Sequence, residues 1–353
     1  MKNYFWNTRK IIRSSIYKAT EYLQVHKLFY PYYSGIGSIL MFHRIKKKYS
    51  NSKISVNSGS EVSPKYLESI INLFIKNNYD IVSIDEVYER LKDRRNNKKF
   101  ICFTFDDGYV DNYYLAYPIF KKYDIPFTIY ITTSFIDRKA VPWHYFLEDL
   151  FLYNDTVFFT HNNINYRFST SSRTKEIKTF KFIESLILKA DEDDYERLIE
   201  DIFKSYMLDI SAYSKKLTLS WDQIKQMSDS GIVTIGAHTI NHYNLNNLSY
   251  KTIKNEIEGS KNLIESYINK KVEHFAYPFG KGIKIKILQI LKELNFKTAV
   301  TDKVANIFPE HLNYLYYLPR ITVNGNNEDL SEIEILISGL RTALMYKFKK
   351  VIT

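Results

Sequence analysis

The chain is poor in the residues that cross-link or punctuate a fold. It holds one cysteine, Cys102, in 353 residues, so neither an intramolecular disulfide nor a cysteine-based zinc site is available. Cys102 stands in Phe100-Ile101-Cys102-Phe103, where a thiol reads as a small core hydrophobe. Glycine (11) and proline (8) are scarce beside 45% hydrophobic and 25% charged residues, which excludes a collagenous, low-complexity or disordered chain. No apolar run is long enough to span a membrane. Arg9, Lys10, Arg13, Lys18 and Glu21 interrupt every stretch that could imitate a signal peptide, so the expected location is the cytoplasm.

Acidic residues are nearly missing from both ends. Residues 1–50 carry ten Lys or Arg against Glu21 alone, and residues 341–353 carry four bases and no acid; of the net +11, the stretch 51–340 therefore holds −2. A nucleic-acid enzyme would carry its basic patch around the active site, so no nucleic-acid partner is expected and the ends read as surface-contacting segments. The length exceeds the roughly 250–300 residues at which one core stops growing, which calls for an insertion or a second domain.

Residues 5–30 read as an amphipathic helix with Phe5, Ile12, Ile16, Ala19 and Leu23 on one stripe, stopped by Pro31. Apolar runs at Ile36–Phe42, Phe100–Phe105, Phe127–Thr132, Ile232–Gly236, His274–Tyr277 and Thr298–Val300, with a strand-like Arg320–Val323, read as strands. Helical spacing falls at Pro64–Asn77, Ser83–Leu91, Asp111–Tyr123, Trp221–Ser230, Ser249–Asn269 and Ile283–Leu294. This alternation predicts parallel β/α units. It is lost between Trp143 and about Leu217, where Phe151–Phe168 alternates like a hairpin and Glu176–Met207 is helical and charged. That stretch is an expected α+β insertion.

Polar clusters follow the predicted strands at their carboxyl ends, where sites of parallel β/α folds assemble. Asp106 and Asp107, in Thr104-Phe105-Asp106-Asp107-Gly108-Tyr109, repel each other unless a cation or hydrogen bonds compensate them. In an extended chain they point apart, which would let one ligate a cation while the other takes a proton; a plain Asp-capped helix start is the alternative. His238 and His242, in Gly236-Ala237-His238-Thr239-Ile240-Asn241-His242, would share a face if the segment were helical. With one Asp they complete a three-ligand set of a common hydrolytic type. In Tyr277-Pro278-Phe279-Gly280 the proline removes a donor and the glycine permits a tight turn, so an amide near Tyr277 could face the site. His43-Arg44 and Pro319-Arg320 flank the first and last strands.

These three motifs, in this order, resemble the polysaccharide deacetylase family, the NodB-homology group of carbohydrate esterases, over roughly residues 38–325 without the insertion. The resemblance implies a distorted (β/α) barrel and removal of N-acetyl or O-acetyl groups from glycans, with one divalent metal ion, zinc first and cobalt, nickel or manganese as alternatives. It implies Asp106 as general base, Asp107, His238 and His242 as metal ligands, and Tyr277 as the position whose amide helps hold the oxyanion. Tyr109, Pro278 and Phe279 fall where substrate would be bound.

In the common family order the acid histidine lies late in the domain, and no histidine follows residue 311. Leu40-Met41-Phe42-His43-Arg44 instead looks like the early histidine motif of circularly permuted members, which makes His43 the candidate acid. The family's arginine beside the third motif is absent, and Arg320 is the candidate to fix the base. The expected organisation is a basic amphipathic segment 1–33, a catalytic domain 34–330 with its insertion at about 143–217, and a basic carboxyl-terminal helix 331–353. The expected substrate is an acetylated sugar or glycan of cell-envelope polysaccharide or lipopolysaccharide metabolism, with the basic ends on the anionic inner face of the membrane. Two rivals stand beside it: a metal-independent cyclic-amide C–N hydrolase, and an inactive glycan-binding relative. The intact ligand set argues against both.

Overall fold

The computed structural model describes residues 23–47, 56–93, 98–280 and 282–353. Twelve strands occur among them: β1 Gly37–Phe42, β2 Arg44–Ile45, β3 Glu61–Val62, β4 Asp80–Ile81, β5 Phe100–Phe105, β6 Phe127–Ile131, β7 Thr156–His161, β8 Ile164–Ser169, β9 Val233–Ala237, β10 His274–Ala276, β11 Thr298–Val300 and β12 Ile321–Thr322. Eight of them form one parallel sheet in the order β11-β10-β9-β6-β5-β1-β12, with β4 also paired to β5. β1 and β5 are buried at every position, as strands covered on both faces must be. The segment before β12 runs beside β11: Ala299 N–H donates to Leu315 and Thr301 N–H to Leu318, at 2.8 and 2.9 Å. The two edges thus approach and the sheet curls as expected.

Helices begin where the chain supplies caps. Ser63 and Ser83 accept from the N–H groups of Tyr66 and Glu86 at the starts of Pro64–Lys76 and Ile84–Lys92, each cap worth about 1 kcal/mol. Leu67, Ile70, Ile71 and Phe74 bury one face of the first against β1 and β5. The helix expected at Asp111–Tyr123 starts with a wide turn, Asn112–Ala116, before its α part, Tyr117–Tyr123.

The register is what places chemistry. Phe42 lies opposite Phe105, and Asp106 N–H donates to Phe42 O at 3.0 Å, so His43 and Asp106 leave the sheet side by side. Ala237 pairs with Ile131 and with Phe275, so His238 emerges at the same rim.

The lost alternation corresponds to a helix Trp143–Tyr153, an antiparallel β7-β8 hairpin, and helices Arg173–Lys189, Glu192–Ser205 and Ile210–Leu217. Phe151, read as hairpin, lies in the first of these helices. Pro31 does not stop a helix but sits inside Val25–Tyr33. The proline and Lys27, whose carbonyl it leaves without a donor, are both exposed, so water takes the lost bond. Of the expected amino-terminal stripe only Leu23 lies within the described residues. The carboxyl-terminal stretch is two short helices, Leu330–Ile337 and Leu340–Met345, separated by Gly339 at φ 77, and the first carries Glu332 and Glu334 rather than bases.

Candidate active site

A cavity of about 110 Å³ opens at the carboxyl rim of the sheet, lined by His43, Asn57, Ser60, Asp106, Asp107, Tyr109, His144, Tyr145, His238, His242, Tyr277, Phe279 and Asp302. It is smaller than the roughly 150 Å³ void that accepts a benzene ring, so it suits a small acyl group while a sugar ring stays at the mouth.

Asp106 and Asp107 do not point apart. Asp107 takes φ 74 and Gly108 φ 78, and this left-handed pair turns both carboxylates toward the cavity. Asp106 is buried and gripped by Arg320, whose two terminal nitrogens donate to its two oxygens at 2.7 Å each. Arg320 is fully buried, and it also donates to Thr301 O at 3.1 Å and Thr104 Oγ1 at 3.3 Å. Burial pushes the Asp106 carboxyl up, but the guanidinium outweighs it and holds the group below the usual carboxylate range, hence ionised.

Asp107 Oδ1 faces His238 Nε2 at 3.4 Å and His242 Nε2 at 3.3 Å, yet it is buried with no hydrogen-bond partner among the described residues. An orphaned carboxylate oxygen between two imidazole nitrogens is costly unless a cation joins them. Ligand atoms of these three residues lie within 4.8 Å of one another, and metal–ligand bonds of about 2.0–2.2 Å would draw them around one ion. His238 Nδ1 donates to Ala276 O at 2.8 Å, leaving the Nε2 lone pair free for such a bond. The residues present fit the metal.

The histidine pair is not on a helix. Residues 238–242 form a turn with Thr239 at φ 67 and His242 at φ 58, and Glu256 shapes it. From the helix Tyr250–Ile268 its carboxylate accepts from Ile240 N, Asn241 N and Asn241 Nδ2 at 3.0, 2.8 and 2.9 Å. Burial nevertheless lifts its pKa to about 7. Sequence reasoning missed Glu256, although an acid inside the buried stripe of Ile253, Ile257 and Ile264 is a visible anomaly.

The Tyr277 amide is not free: it donates to Val300 O at 3.3 Å as the last rung of the β10-β11 ladder. Pro278 has no N–H. The next amide, that of Phe279 at φ 60, has no protein acceptor among the described residues, and Phe279 lines the cavity with its ring edge-on to His242 at 4.9 Å. Pro278 is buried and does not line the cavity; it ends the ladder instead. A side chain at Gly280 would meet Asp302 N at 2.4 Å, which explains the glycine. Tyr109 forms a buried wall, edge-on to Tyr145 at 5.3 Å, with the Arg44 guanidinium over both rings. His43, half-buried, faces the acids from the end of β1, its carbonyl held by Asn112 Nδ2 at 2.9 Å.

Five cavity residues were missed as well: Asn57, Ser60, His144, Tyr145 and Asp302. Asp302 follows β11 by two positions and touches Arg320 at 3.4 Å; it obeys the same acid-after-strand pattern that revealed Asp106. His144 comes from the insertion, stacked on Trp143 at 3.7 Å and edge-on to His242 at 6.2 Å. Burial, then the neighbouring His242, lowers its pKa to about 3, so it is a neutral hydrogen-bonding ring.

A family model described as polysaccharide deacetylase matches residues 93–299. The Bacillus subtilis (strain 168) protein YxkH, provisionally described as a polysaccharide deacetylase, is 23% identical over 266 residues, 75% of this chain and 64% of its own length. Among solved structures, Streptococcus pyogenes deacetylase PplD in complex with acetate aligns over 85% of this chain and 97% of its own, with a TM-score of 0.55 and 21% identity. IcaB from Ammonifex degensii aligns over 86% and 97%, with 0.53 and 16%. At these identities the two structures speak for the curled α/β fold.

Proposed function

The chain belongs to the polysaccharide deacetylase family, and on that premise we propose that it is a metal-dependent hydrolase removing N-acetyl or O-acetyl groups from a glycan of cell-envelope metabolism. One observation carries the reading: an orphaned Asp107 oxygen between two histidines sits beside an Arg-gripped Asp106 in an acyl-sized cavity. PplD, described in complex with acetate, supports it, since acetate is what such a reaction releases.

Asp107, His238 and His242 would hold one divalent cation, zinc by the donor set, which would supply Lewis acidity toward the acyl carbonyl and a more acidic water. Asp106, kept ionised by Arg320, takes the proton of the attacking water. The Phe279 amide donates to the oxygen that becomes negative. His43, at the end of β1 on the cavity wall, gives a proton to the departing amine; an amide needs this more than an ester does. Tyr109 and the Phe279 ring wall the acyl group, and Arg320 acts only through Asp106.

Incubation of the purified protein with acetylated nucleotide sugars, lipid-linked sugars and polymers, reading released acetate, tests the proposal. Release that stops with a chelator and returns with a divalent metal is expected. Release untouched by exhaustive chelation, or none from any acetylated glycan, overturns it.

A further inference from the structure

The helix Val25–Tyr33 and the segment 340–350 adjoin. The Tyr33 ring meets Phe348 edge-on at 6.3 Å, its hydroxyl donates to Phe348 O at 3.4 Å, and Lys350 Nζ lies 5.9 Å above its centre. Both elements turn apolar side chains outward: Leu28 and Tyr32 on the first, with Leu23 just before it, and Leu344, Met345 and Phe348 on the other, each more than half exposed. Among them stand the exposed bases Lys27, Lys347, Lys349 and Lys350. No aspartate or glutamate occurs between residues 22 and 60, or after Glu334.

Apolar side chains interspersed with lysines match a surface that is apolar within and anionic at its face. A protein partner would be expected to meet some acid of this chain with a base of its own, and a nucleic acid would leave Leu28, Leu344 and Met345 in water. We propose that these two elements form a docking surface for a bilayer containing anionic phospholipid. Each base near such a leaflet strengthens partition about fivefold, so the three lysines 347, 349 and 350 together contribute about a hundredfold.

The position of this surface sets an orientation. Val25–Tyr33 leads into the amino end of β1, whereas His43 follows its carboxyl end. Six residues at about 3.3 Å each separate the two by roughly 17–20 Å. A docked molecule holds its cavity mouth away from the lipid, toward glycan that projects from the surface. That last step rests on the deacetylase reading; the docking does not.

The test is co-sedimentation of the full chain with vesicles of phosphatidylcholine alone and of equimolar phosphatidylcholine and phosphatidylglycerol. Binding is expected only to the second, weakening as salt rises above about 0.1 M, where screening sets in within about 10 Å. Replacing Lys347, Lys349 and Lys350 by Gln should lower binding about a hundredfold, and Leu28→Glu with Phe348→Glu should abolish it, both without change in acetate release from a soluble substrate. Overturning results are a chain that stays in the supernatant with anionic vesicles at low salt, binding indifferent to both variants, or self-association that Leu28→Glu removes without any vesicle binding. Sedimentation needs no turnover, so an inactive chain that binds would sink the proposed reaction and leave the docking surface standing.

Discussion

The cavity has two halves built by different means. On one side Asp106, Asp107, His238 and Phe279 stand where parallel strands end, and ladder bonds fix their heights, as with Asp106 N–H on Phe42 O at 3.0 Å and His238 N–H on Ile131 O at 2.9 Å. On the other side His144 and Tyr145 arrive on an inserted helix that side chains hold in place: Asn57 Nδ2 donates to His144 O at 2.9 Å and to Glu148 at 2.7 Å. Moving a strand-end residue requires breaking the sheet, whereas the inserted wall shifts by changing a few side-chain contacts. The first half should therefore set whether the reaction runs, and the second which glycan it accepts.

The largest effect should come from the strand-end half. His238→Ala leaves two ligands, so bound metal and acetate release should both fall to background, measured by elemental analysis beside turnover; full metal occupancy in that variant would break the ligand assignment. Asp106→Asn should retain the metal while kcat falls roughly 10²- to 10⁴-fold, and near-native turnover would show that the base lies elsewhere.

Leaving-group dependence separates the acid from both. His43→Ala should slow N-deacetylation much more than cleavage of an activated aryl acetate, whose leaving group needs no proton; equal losses would assign His43 a structural part. For Arg320→Gln the readout is the pH profile. Asp106 has a lowered pKa, so its ionised form is present above that value and lost as pH falls through it. Without the guanidinium, burial is opposed only by the weaker pull of His238 and His43, so the pKa should rise and the acid limb of kcat should move to higher pH. The broken buried pair should also cost about 3–5 kcal/mol in unfolding. An unmoved acid limb would mean that Arg320 only braces the fold.

The smallest effect tests the inserted half. His144→Ala should raise KM for the glycan about tenfold, roughly the worth of one hydrogen bond to a neutral partner, with cleavage of a small aryl acetate nearly unchanged and His144→Gln restoring part of the affinity. A loss in kcat on both substrates would erase the division between the halves.

What was legible in the sequence follows the same line. Phe100–Phe105 and Thr298–Val300 were read to the residue because apolar runs bounded by polar residues announce a covered strand. The shape of the His238–His242 turn was not legible: four-residue spacing would also suit a helix, and nothing local tells that Thr239 and His242 take positive φ; the acid that holds the turn, Glu256, lies fourteen residues beyond His242. The Tyr277 amide was misjudged because which way its N–H turns is set by the partner strand, whose Val300 carbonyl takes it. His144 carried no local signal at all, its place in the cavity being decided by how the insertion folds back over the rim.

The left-handed turn at Asp107 has a bearing on how this chain could drift. A residue at φ 74 must be one that tolerates that region, which admits asparagine and glycine cheaply and resists valine, isoleucine or threonine. Asparagine there would keep the turn, the shape and the walls of the cavity while exchanging a charged oxygen for an amide nitrogen. On the proposed reaction, the step from a complete ligand set to a broken one is therefore a single nucleotide change, because GAT or GAC becomes AAT or AAC at a position where the backbone accepts either residue.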